Sequence, residues 1–179
     1  MFEKREYLSK LGKEVTVREA KEEDFISIWD IFQKVVSEGE YTSGVRAEPT
    51  KDNDKSSYGA EDKQKFITVL CEIEKKIVGY VTVEESMWEL SRHAGELGIA
   101  VLPQFRRVGV GSALLGSALT VASDKGFKKV NLSVFDTNKN AMNLYKRFGF
   151  KKVGKKKKQF YLNGRYIDEI IMEKFLEPL

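Results

Sequence analysis

The sequence predicts an α/β fold, and three observations carry that prediction. Short runs that are alternately or continuously apolar recur along the chain, as strands do, and three longer segments repeat apolar residues every three or four positions, as amphipathic helices do. The two kinds interleave. Near the end, Asn163-Gly164 separates two alternating stretches, and this dipeptide favours the two-residue turn of a β-hairpin. With 179 residues, 41% of them hydrophobic, and eleven Phe, seven Tyr and two Trp, the chain has the size and apolar content of one domain with a real core. Residues 1–179 are therefore read as a single domain, with its core at about 13–176.

Each element has its own justification. "EVTVREA" (14–20) alternates through Val15 and Val17 and reads as a first strand. In "KEEDFISIWDIFQKVVSEGE" the residues Phe25, Ile28, Trp29, Phe32, Val35 and Val36 form one stripe, with acids at the start and Gly39 near the end, so a helix follows. Residues 41–65 are polar, broken by Gly44, Pro49 and Gly59, and read as a loop with one short helix after Thr50; a loop this long is often a lid. Two strands follow at about 66–73 and 77–84, joined at Glu74-Lys75-Lys76, and a fourth at 96–102 ends at Pro103, giving a meander. Val110, Leu114, Ala118 and Ala122 line a second helix that Gly126 can cap. "KKVNLSVFD" (128–136) is a strand, and "TNKNAMNLYKRF" is a helix with Ala141, Leu144, Tyr145 and Phe148 on one face. The closing hairpin brings the count to seven strands.

Composition excludes several function classes. One cysteine, Cys71, cannot form an internal disulfide, and with His93 as the only histidine no protein-built metal site is expected. The N-terminal stretch is charged throughout and no uncharged apolar run approaches 18 residues, so no membrane association and a cytoplasmic location are expected. The formal net charge of +4 suits anionic ligands slightly and argues against a dedicated nucleic-acid binder.

The chemistry-bearing stretch is "QFRRVGVGSALL" (104–115), a basic, glycine-bearing turn between a strand and a helix. A helix N-terminus presents unpaired N–H groups and partial positive charge, so such a turn binds anions, phosphate above all. Gly109 and Gly111 would let the backbone approach the oxygens, and Arg106 and Arg107 could add charge-assisted hydrogen bonds. A Walker loop is absent, and a dinucleotide fingerprint fails because Leu114 stands where a third small residue is needed.

"VLPQFRRVGVGSALL" resembles the acyl-CoA-binding segment of the GNAT acetyltransferases, R/Q-x-x-G-x-G/A, here Arg106-Arg107-Val108-Gly109-Val110-Gly111; "NKNAMNLYKRFGF" (138–150) looks like the same family's N-x-x-A-x-x-L-Y-x-x-x-G-F signature. The order of elements also matches, apart from the first dozen residues. The resemblance implies the GNAT fold, a mixed, largely antiparallel seven-stranded sheet splayed between its fourth and fifth strands with helices on both faces. It implies acetyl-CoA as cosubstrate, its pantetheine arm paired with the backbone of Ile99, Ala100 and Val101 and its pyrophosphate on the amides of residues 107–112, Ser112 included. Asn138 would contact the arm, and Tyr145 would stand at the thioester sulfur as general acid. The implied activity is N-acetyl transfer to a primary amine, small-molecule or protein, by direct attack in a ternary complex.

A protonated amine is unreactive, so a base is expected. The candidates are Glu96, Glu84 and, behind them, His93; strand parity turns Glu96 away from residues 97, 99 and 101 unless a bulge intervenes. Lys155–Lys158 read as a solvated strand face that discourages edge pairing, and Tyr161 and Tyr166 as a cross-strand pair or acceptor lining. Acceptor specificity is assigned to residues 38–60 and the terminal hairpin, whose exposed edge could support a homodimer. A non-catalytic acyl-CoA-binding regulatory module is the alternative.

Overall fold

A computed structural model describes residues 5–8, 12–39, 66–86 and 88–177. The helix expected after Thr50 and the lid expected over 41–65 lie outside the described residues. In chain order the elements are β1 (Arg5–Leu8), β2 (Glu14–Glu19), α1 (Phe25–Ser37), β3 (Phe66–Ile73), β4 (Lys76–Glu85), β5 (Ala94–Val101), α2 (Val110–Asp124), β6 (Lys129–Phe135), α3 (Lys139–Arg147), β7 (Lys151–Leu162) and β8 (Arg165–Phe175).

The strands form one sheet in the order β1-β2-β3-β4-β5-β6-β8-β7. Every neighbouring pair is antiparallel except β5 and β6, which run parallel. Among the described residues the sheet thus has eight strands, one more than the sequence indicates. The extra one, β1, pairs with β2 over Arg5–Leu8. Its charged, non-alternating sequence hides it, yet an edge strand needs only one neighbour, and charge suits an edge.

Apolar side chains divide between the two sheet faces. Val81, Val83, Leu97, Leu132 and Met172 pack with Leu114, Leu115 and Ala118 of α2 and with Tyr145 of α3. On the other face Leu70, Tyr80 and Ala100 pack with Ile28, Ile31 and Val35 of α1. Ile31 is buried beyond the expected stripe, whereas Phe25, Trp29 and Phe32 are half-buried. Arg18 of β2 anchors the start of α1 by donating from Nη1 and Nη2 to Asp24 (2.7 and 2.9 Å), and the Lys21 amide donates to the same carboxylate at 2.7 Å. Burial alone would raise the Asp24 carboxyl, but these hydrogen bonds and the arginine charge hold it below its usual range.

Turns follow sequence where glycine and asparagine mark them. Asn163 and Gly164 both have positive φ (50° and 78°), as a type I′ turn requires, and Gly126 adopts φ 85° after α2. Between β3 and β4 the positive-φ positions fall to Glu74 and Lys75 (53° and 64°), which carry no turn signature. Cys71 is buried in the sheet, and burial, with some help from Glu72, pushes its thiol up to about 12.

Candidate active site

The site is organised by a split in the sheet. β5 and β6 pair only at Ala94↔Lys129, Gly95↔Val130 and Glu96↔Asn131, and no pair follows. From Leu97 onward, no strand among the described residues pairs with the β5 edge facing β6. Ladder parity decides what that edge offers. Leu102 N–H donates to Val78 O at 3.0 Å, and Ser86 N–H to Ala94 O at 3.1 Å. Even-numbered residues of β5 therefore direct their backbone groups to β4, and Leu97, Ile99 and Val101 direct theirs into the gap. Ile99 and the Val101 amide are placed as expected for an added strand. Ala100 is not: its backbone faces β4 and its side chain joins the α1 cluster. The Val101 carbonyl is taken by Arg106 Nε at 2.9 Å.

At the open end of the gap lies the basic turn. Gly109 caps α2 with φ 106°, and a Cβ there would meet nothing within 4 Å, so the turn is open where an oxygen-rich ligand would approach. Among the described residues no hydrogen bond uses the amides of Arg107, Val108, Gly109, Val110 or Gly111. Ser112 N–H, in contrast, donates to Gly109 O at 3.0 Å, so it is withdrawn from the expected set. Gly111 also differs: a Cβ there would come within 3.3 Å of Leu144 Cδ2, so this glycine serves the close approach of α2 and α3. On the far flank of the turn, a groove of about 370 Å³ opens between β1 and α2, bordered by Arg5, Tyr7, Gly109 and Ser112.

The two arginines separate. Arg106 donates from Nη1 and Nη2 to the two carboxylate oxygens of Glu38, each at 2.6 Å, which corrects its expected role as a direct phosphate ligand. Arg107 stays exposed, with φ 64°, and has no partner among the described residues. A bidentate carboxylate is a better partner for a fixed guanidinium than solvent, and Arg107 and the amides are what the turn leaves open.

Asn138 caps α3, its Oδ1 accepting from Ala141 N–H at 3.1 Å. Tyr145 projects from α3 into the main core beside Phe150 (ring centroids 5.9 Å apart). It is 6% exposed, and burial pushes its phenol well above the ordinary tyrosine value, so the hydroxyl keeps its proton throughout the working pH range.

The expected bases sit on the opposite face. The β4–β5 register is continuous, with no bulge at Glu96, so Glu96 shares a face with Gly98 and Ala100 rather than with Ile99 and Tyr145. Glu84 lies directly opposite it on β4, and both are exposed. Asn131 Nδ2 donates to Glu96 Oε1 at 2.9 Å across the last parallel pair. No cation among the described residues pairs with either carboxylate. Two like charges directly across a ladder are unfavourable unless something cationic comes between them. His93 is exposed just ahead of β5. Asn131 was missed in the sequence, although alternation in "VNLSV" already turns it away from the buried Val130 and Leu132.

The lysine run is the exposed edge strand β7, where Lys155 pairs with Asp168 and Lys156 with Glu169. Tyr161 and Tyr166 meet as a cross-strand pair, their rings tilted 58° with centroids 5.0 Å apart.

A sequence model described as the acetyltransferase (GNAT) family matches residues 25–150. The chain belongs to the GNAT acetyltransferase family. It is 30% identical over 101 residues to the L-amino acid N-acetyltransferase AaaT of Escherichia coli, a match covering 56% of this chain and 62% of that enzyme's own length. It is 28% identical over 165 residues to an N-alpha-acetyltransferase of Sulfurisphaera tokodaii, covering 87% and 91% of the two chains. A GNAT acetyltransferase structure from Streptococcus pneumoniae aligns with TM-score 0.79 at 26% identity, over 90% of this chain and 98% of that one. The structure of yncA from Salmonella typhimurium with its cofactor acetyl-CoA aligns with TM-score 0.84 at 21% identity, over 92% and 95%. This GNAT member is an acetyl-CoA-dependent N-acetyltransferase. No helix among its described residues is long and apolar enough to cross a membrane.

Proposed function

We propose that this GNAT enzyme acetylates an α-amino group, on an amino acid or at a polypeptide N-terminus, by direct attack on acetyl-CoA. The observation that carries the mechanism is the placement of Tyr145 and the Glu84–Glu96 pair on opposite faces of one split sheet. Donor and acceptor then meet at the split from two sides, as a ternary complex requires. The free amides of residues 107–111 and the Arg107 charge suit a pyrophosphate, and the unpaired edge at Leu97 and Ile99 suits the amide-bearing arm, so the residues present fit acetyl-CoA.

Acetyl-CoA supplies the activated acyl group when bound. Glu96, held by Asn131, or Glu84 beside it takes the proton of the incoming ammonium, directly or through water. The neutral nitrogen bonds to the acyl carbon as the carbon–sulfur bond breaks. Tyr145, still protonated, donates a hydrogen bond and then a proton to the sulfur, and the second nitrogen proton, lost as the amide forms, returns through water to restore the phenol. An α-amine, with an ordinary pKa of about 8, demands less of an exposed carboxylate than a lysine at about 10.4. The names of the two relatives, one acting on L-amino acids and the other on α-amines, point the same way.

Calorimetric titration with acetyl-CoA, followed by thiol release against L-amino acids, peptides with free N-termini and Nα-blocked lysine peptides, tests this reading. Amine-dependent release with the first two groups is expected. Release only with blocked lysine peptides would overturn the α-amine assignment, and binding without release from any amine would favour the regulatory-module alternative. The single buried cysteine fits a cytoplasmic setting.

A further inference from the structure

We propose that Glu38 is a positioning residue for the acetyl-CoA turn, acting through Arg106. Glu38 stands at the C-terminal end of α1, where a carboxylate meets the negative end of the helix and is electrostatically disfavoured. Its partner explains the placement. Both carboxylate oxygens are bound by Arg106 at 2.6 Å, and the two side chains are only 22% and 29% exposed. The third nitrogen of the same guanidinium holds the Val101 carbonyl at 2.9 Å. One planar group thereby ties the last residue of β5 to the last turn of α1.

Arg106 is also where the turn begins. Its own amide donates to Pro103 O at 3.2 Å, and the next residue enters positive φ. Side chain and main chain together fix the direction in which the amides of 107–111 leave β5. Because the carboxylate occupies the guanidinium, the turn's affinity for an anion depends on Glu38 through geometry, not through an added charge. The path continues beyond the turn: Gly39, next to Glu38, accepts from Asn163 Nδ2 (3.4 Å) at the tip of the β7–β8 hairpin. The terminal hairpin and the donor turn thus share one support.

This inference rests on the reading that residues 107–111 receive acetyl-CoA, and the experiment separates the two. The probe is CoA, titrated calorimetrically into wild type, Glu38→Gln, Glu38→Asp, Arg106→Lys, the Glu38→Gln/Arg106→Lys double variant, and Asp24→Asn, which loosens the other end of α1. Glu38→Gln and Arg106→Lys are each expected to weaken CoA binding by about tenfold, as a displaced binding group does. The double variant loses no more than either single one, because the two act as a unit. Glu38→Asp, one methylene short but still charged, loses less. Asp24→Asn lowers Tm and leaves CoA affinity within about twofold, an effect that ordinary helix loosening would produce. Unchanged affinity in Glu38→Gln, multiplied losses in the double variant, or equal weakening by Asp24→Asn overturns the positioning role while leaving the turn's reading intact. A wild type that does not bind CoA overturns both.

Discussion

Tyr145, the proposed general acid, is first of all a core residue. Its position on the apolar stripe with Ala141 and Leu144 suffices to explain its burial, and that burial raises the phenol's pKa. A hydroxyl held protonated is useful only where a developing anion needs a hydrogen. Tyr145→Phe should therefore lower kcat by about 100-fold, at the low end of the general-acid range, with acetyl-CoA affinity unchanged; steady-state kinetics beside calorimetry check it. The pH profile should show no alkaline limb from this residue below pH 9. At the carboxylate pair, Glu96→Gln should lower kcat/KM by about 100-fold if Glu96 is the base, and an unaltered kcat/KM would transfer the role to Glu84. Neither assignment could be made from alternation alone, since alternation places both on one face without saying which is held by Asn131.

At the scale of elements, the two glycines of the turn do different work. Gly109→Ala imposes a side chain on φ 106°, and Gly111→Ala presses a methyl against Leu144. The first change should weaken CoA binding with a small loss of stability. The second needs only a few tenths of an ångström of movement at the Leu144 side chain and gains helix propensity, so urea unfolding should register a net change of about 1 kcal/mol or less. The start of α1 supplies a pH-dependent counterpart. Because folding depresses the Asp24 carboxyl pKa, its contribution is fully present above the ordinary carboxylate pKa and is lost as pH falls through the lower folded value. Asp24→Asn should destabilise by about 2 kcal/mol at pH 7, the loss of charge-assisted hydrogen bonds with Arg18 still paired to Glu72, and the gap from wild type should narrow towards pH 3.

The described molecule is a sheet divided by one short parallel pairing, with the basic Gly109 turn at the mouth of the division. β1 lies at the opposite edge from the terminal hairpin, so deleting residues 1–10 should lower Tm by several degrees, as a loss of about 1 kcal/mol would. Amine-dependent thiol release should persist, and its disappearance would tie β1 and the groove beside Gly109 to catalysis.

Periodicity and punctuation are local, and the sequence by itself determined what depends on them: α1, α2 and α3, seven of the eight strands, the Asn163-Gly164 turn, and the two motifs by which the family is recognised. Tertiary structure alone decided what depends on distant partners. β1 forms because β2 offers it an edge, and no alternation within Arg5–Leu8 announces that. Arg106 looks like a phosphate ligand until Glu38, 68 residues away, is seen to claim its guanidinium. Gly111 looks like Gly109 until Leu144 is seen against it. In each case the residue's chemistry is written in its side chain, but its use is set by which long-range neighbour reaches it first.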